Sequence, residues 1–150
     1  MKLISAANLV SIGWFFARIG LYGVVPFWPL PFALMIVVLA VFWWTVSATR
    51  SRRLTLAFDD DQPAFLYNIG PYRRIRHPFY ASYILFWFAT SLATFGVAQW
   101  LVPIGMAVVY LAAAWWEERK FAASPLAAAY RAYRKSAPML LPLHWNRAAD

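Results

Sequence analysis

One segment of the chain concentrates groups able to do chemistry: Gly70-Pro71-Tyr72-Arg73-Arg74-Ile75-Arg76-His77-Pro78-Phe79-Tyr80. It is basic and turn-forming, and it leads straight into an apolar run. Pro78 suits the first position of a helix, where the N–H it lacks would have no partner anyway. The open N–H groups and positive dipole end of that helix favour a carboxylate or phosphate. Arg73, Arg74 and Arg76 reinforce the preference. His77 is placed to donate or accept a hydrogen bond, and Tyr80, three residues on, shares its helical face. Arginines ahead of an apolar helix are also ordinary topology signals, but that reading leaves Gly70, His77 and Tyr80 unexplained.

A second constellation is Glu117-Glu118, the acids lying outside the central loop and the C-terminal residue. Both fall at the end of an apolar run, where a negative charge opposes the helix dipole. Either they pair with Arg73, Arg74 or Arg76, or one of them holds an ammonium group or ribose hydroxyls. The run Asp59-Asp60-Asp61 reads as a solvated turn, since consecutive turn residues rarely converge on one cation. No metal site is expected. The absence of cysteine excludes disulfides, thiolate metal sites and thiol nucleophiles from this chain.

The elements that must position these groups are apolar. The chain is 63% hydrophobic, 19% aromatic and 13% charged, a composition that a soluble domain of this length cannot bury. An all-α integral membrane protein is expected, with about four spans near 3–25, 27–48, 78–94 and 97–116. Pro26-Phe27-Trp28-Pro29-Leu30-Pro31 breaks the first pair and Phe95-Gly96 the second, making two helical hairpins. Ser124-Pro125 reads as N-cap and first position of a short amphipathic helix. That helix carries Leu126, Ala129, Tyr130 and Tyr133 on one face, and Pro138 stops it.

Thirteen of the fourteen Lys and Arg lie at the N-terminus, in the central loop or after Trp116; Arg18 alone falls within a span. The positive-inside rule then places both termini and the 49–77 loop in the cytoplasm, with a bacterial inner membrane as the expected location. The net charge of +8 is accounted for by anionic headgroups, and no nucleic-acid partner is implied. Lys2 and the apolar run after it read as an uncleaved first helix. Arg18 is expected to snorkel outward or to bond between helices.

The string GPYRRIRHPFY, a following apolar helix, the EE pair and a Tyr-x-x-Tyr tail ending Ala-Pro-Met-Leu-Leu-Pro resemble the isoprenylcysteine carboxyl methyltransferase and phospholipid methyltransferase superfamily. The resemblance covers roughly 70–142. It departs at Ala81 and Ser82, where the family has glycine, and at Leu126-Ala127, where it has Phe-Gly. It implies one membrane domain over 1–150, with S-adenosyl-L-methionine as cofactor and cofactor-site segments at 70–80 and 115–133. It implies cofactor binding by Gly70, Tyr72, Arg76, His77, Pro78, Tyr80 and one of Glu117 and Glu118. It further implies a cation–π wall from Tyr72, Trp115 or Trp116, and a lipophilic acceptor reaching the site from the bilayer. That acceptor would be an isoprenylcysteine-like carboxylate, a phospholipid amine or a small thiol. The competing expectation is a non-enzymatic membrane scaffold or lipid-binding subunit.

Overall fold

The computed structural model describes residues 2–50, 63, 65–94 and 96–142, with the side chains of residues 2 and 3 left out. The three aspartates at 59–61 lie outside the described residues. Helix α1 spans Lys2–Tyr22, α2 Pro29–Thr49, α3 Pro78–Leu92, α4 Leu101–Ala122 and α5 Ala127–Ser136. Short 3-10 turns, Gly70–Arg73 and Val97–Trp100, lead into α3 and α4. No strand occurs among the described residues; Val24 and Thr94 form an isolated antiparallel bridge.

Three segments are long and apolar enough to cross a membrane: Ile4–Tyr22, Pro29–Thr49 and Val97–Ala122. Their outward faces are apolar. Leu9, Val10, Leu21 and Leu101 are each at least 69% exposed, an arrangement that suits a lipid solvent and not water. Helix α3 has 15 residues, about 22 Å at 1.5 Å per residue, shorter than the ~30 Å hydrocarbon core.

The first expected hairpin is not a packed pair: α1 and α2 follow one another through the turn at 23–28 but make little contact along their lengths. Helix α2 packs along α3, α3 along α4, and α1 against α4. Each member of the first pair therefore rests on a member of the second. The turns joining the pairs meet at one end of the bundle, where Val25 N–H donates to the Ala93 carbonyl at 3.1 Å. Arg18 lies at this end, buried, with its guanidinium 3.8 Å from the Tyr22 ring centroid and 5.9 Å from that of Trp14. It leans toward the helix end, as a snorkelling cation does, but finishes under aromatic rings and against Gly96.

At the opposite end, α4 continues six residues beyond Trp116 and carries the two glutamates. Ser124 serves both helices: its hydroxyl donates to the Phe121 carbonyl at 2.8 Å and accepts from Leu126 N–H at 3.2 Å, and α5 itself starts at Ala127, after a turn at 125–126. Tyr130 and Tyr133 are the buried face of α5, while Ala129 is exposed.

Candidate functional site

Gly70 begins the site. Its φ of +55° lies in the left-handed region, and an added Cβ would sit 3.0 Å from Ala48 Cβ and 3.4 Å from Trp44 Nε1. Glycine is required both by the turn and by the approach to α2. From there the chain coils tightly, with Arg74 and Ile75 N–H both donating to the Pro71 carbonyl. This coil buries Tyr72 and Ile75, exposes Arg73 and Arg74, and turns Arg76 inward.

The next two residues are stitched to the segment after α5. Arg76 N–H donates to the Pro138 carbonyl at 2.9 Å, and His77 N–H to that of Met139 at 3.1 Å. The Arg76 side chain adds a 2.6 Å bond from Nη1 to the Ala137 carbonyl. Tyr133 donates its hydroxyl to the Tyr72 carbonyl at 2.6 Å. Burial pushes the Tyr72 and Tyr133 phenols up from their ordinary values, so that Tyr133 stays neutral and donates.

These contacts aim two cations at the two acids. Arg76 reaches Glu118 Oε1 through Nη2 at 2.7 Å and Nε at 2.9 Å. Arg134 Nε lies 3.5 Å from Glu118 Oε2. His77 bridges the pair, with Nε2 3.3 Å from Glu118 Oε1 and Nδ1 3.4 Å from Glu117 Oε2. Tyr80 donates to Glu117 Oε1 at 2.6 Å. Burial disfavours the charged His77 ring, but hydrogen bonds and charge from Glu117 and Glu118 outweigh it and raise its pKa. An imidazolium is the form that donates from both nitrogens. The dipole penalty on two acids at a helix end is thus offset by specific cations.

A cavity of about 250 Å³ opens beside this cluster. Its walls are Tyr72, Arg76, His77, Pro78, Phe79, Tyr80 and Tyr83, with Glu117 and Phe121 from α4 and Tyr130 and Tyr133 from α5. Phe65, Leu66 and Tyr67 complete it. The Tyr130 hydroxyl is buried and makes no hydrogen bond among the described residues.

Of the residues expected at the site, Tyr72, Arg76, His77, Pro78, Tyr80 and Glu117 border this cavity. Gly70 packs under α2, and Glu118 stands behind the wall, tied to Arg76, His77 and Arg134. Trp115 and Trp116 are a correction to the expected aromatic wall. They are 53% and 51% exposed, because helical rotation carries them away from the face holding Tyr110, Ala113, Ala114 and Glu117. Trp115 stacks with the Arg119 guanidinium at 4.0 Å instead. The rings that do line the cavity include Tyr83 and Phe121, which sequence reasoning missed. Their signal was i, i+4 spacing from Phe79 and Glu117.

No protein-family model, curated protein or solved structure matches this chain.

Proposed function

We propose that the protein is an integral membrane methyltransferase that binds S-adenosyl-L-methionine and methylates a lipophilic acceptor. The observation that carries this reading is the cavity's composition: nine aromatic rings with one carboxylate, Glu117, and two cationic groups, Arg76 and His77, at the end of an apolar bundle, a lining suited to a ligand that carries charges of both signs. Aromatic faces and a carboxylate attract a cation, and a sulfonium in that enclosure is screened from water. The unpaired buried Tyr130 hydroxyl leaves one hydrogen bond for a ligand. The residues therefore fit the cofactor.

Glu117 and Tyr130 would hold its polar ends, with Tyr72 and Tyr80 against the sulfonium. When bound, the cofactor supplies an electrophilic methyl group for in-line displacement. The chain's own work is placement and exclusion of water. Tyr80 and His77 fix the Glu117 carboxylate, Glu118 holds Arg76 and His77 in register, and the Arg76–Ala137 and Tyr133–Tyr72 bonds keep α5 over the cavity. In this reading α3 is the fourth span and both termini face the cytoplasm, where Arg73, Arg74, Arg131 and Lys135 meet headgroups. Helix α5 then lies at the cytoplasmic surface, and the acceptor approaches laterally past Phe79 and Tyr83.

The test is binding of labelled S-adenosylmethionine to the protein in nanodiscs, alongside His77→Ala and Glu117→Gln. Saturable binding weakened at least about tenfold in both variants is expected, as for loss of a charged hydrogen bond. A folded wild-type protein that does not bind overturns the reading and favours a membrane scaffold.

A further inference from the structure

Helix α1 is the least enclosed of the long helices, with 11% of its most apolar window buried, and its main neighbour is α4. One carboxamide stands in that contact. Asn8 Nδ2 donates to the Ile4 carbonyl at 2.8 Å and to the Tyr110 hydroxyl at 3.0 Å. Asn8 Oδ1 accepts from the Tyr110 hydroxyl at 3.1 Å and from Trp87 Nε1 at 3.3 Å. An amide in an apolar span is costly unless so paired, and here its partners lie on α3 and α4. Three helices meet on one side chain.

The contacts continue to the cavity. The Tyr110 ring, 1% exposed, stacks on Tyr80 at 5.7 Å and 26°. Tyr80 stacks in turn on His77 at 5.7 Å and 19°, and its hydroxyl donates to Glu117. Tyr110 cannot shift along Tyr80 without breaking its bonds to Asn8. We propose that Asn8 is a positioning residue for the cavity: it fixes the Tyr110 ring, which sets Tyr80 and thereby the Glu117 carboxylate. The identity of the ligand rests on the methyltransferase reading; the positioning does not.

The test compares wild type with Asn8→Leu, Tyr110→Phe and the double variant in nanodiscs. It uses labelled S-adenosylmethionine binding and the NMR titration of the His77 ring, the His144 signal being assigned with His144→Gln. Val38→Ala, a buried change in α2 outside this run of contacts, controls for lost stability. Both single variants are expected to weaken binding about 3- to 15-fold, the range of an interhelical hydrogen bond, and to displace the His77 titration. The double variant should be no worse than either single, because the two changes remove one interaction. Val38→Ala should alter melting and neither readout. If wild type does not bind the cofactor, the methyltransferase reading falls and the His77 titration alone decides. An unmoved titration with only a lower melting temperature, or additive losses in the double variant, would overturn the positioning role. Tyr110→Phe keeps the ring and its stacking, and it carries the test should Asn8→Leu fail to fold.

Discussion

Arg76 and Glu118, 42 residues apart, meet through two N–H groups on one carboxylate oxygen, at 2.7 and 2.9 Å, with both side chains 9% exposed. The same guanidinium holds the Ala137 carbonyl, so one cation ties the start of α3, the end of α4 and the segment after α5. Removing one partner of a buried pair is costly, but His77 and Arg134 still face Glu118 when Arg76 is lost. Arg76→Gln should therefore cost about 1.5–3 kcal/mol, the range of a charged hydrogen bond, read as a lowered melting temperature in nanodiscs. Replacing both partners, Arg76→Met with Glu118→Leu, should cost less than the single change. A milder single variant would show that the pair is solvated.

His77 sets a pH dependence whose sign follows from its raised pKa. A group with a higher pKa folded than unfolded adds stability below the unfolded value, about 6.5. That contribution is lost as pH rises through the folded value. Melting temperature should therefore fall on the alkaline side of pH 6.5, and His77→Gln should flatten that limb. A wild-type curve matching the variant's would refute the charged imidazole.

Gly70→Ala tests the turn. The left-handed backbone costs an L-residue about 1–2 kcal/mol, and the added Cβ meets Ala48 at 3.0 Å. Destabilisation of at least that size is expected in thermal unfolding. The same substitution at Gly20, where an added Cβ meets nothing within 4 Å, should be near neutral.

Tyr133→Phe removes the 2.6 Å bond to the Tyr72 carbonyl and keeps the ring in the cavity wall. A loss of about 1 kcal/mol is expected. Faster tryptic cleavage after Arg131 and Arg134 would accompany it if that bond holds α5 in place. Unchanged cleavage would assign the hold to the backbone bonds at Pro138 and Met139.

The apolar runs, the Pro78 helix start and the approach of Glu117-Glu118 to the basic segment were legible in the sequence. Long apolar periods and a proline with a fixed φ leave few alternatives. Which arginine pairs was not legible. Arg73 ends the 3-10 turn while Arg74 and Arg76 follow it, and which of them faces the acids is set by the burial of Tyr72 and Ile75. The orientation of Trp115 and Trp116 was hidden similarly, because α4 is apolar all round and carries little amphipathic signal. Asn8 was overlooked as a single uncharged residue, although a carboxamide within a span asks for a partner. The start of α5 falls at Ala127 and not at Pro125 because Pro125 and Leu126 form a turn between α4 and α5.

The pairing of Arg76 and His77 with Pro138 and Met139 also bears on biosynthesis. A chain emerging residue by residue can form α1 to α4 while the amides at 76 and 77 still lack their carbonyl partners. The pocket's roof arrives some sixty residues after its floor. Completion of the cavity is thus a late event of maturation, and a chain stalled before residue 130 would hold the floor without the roof.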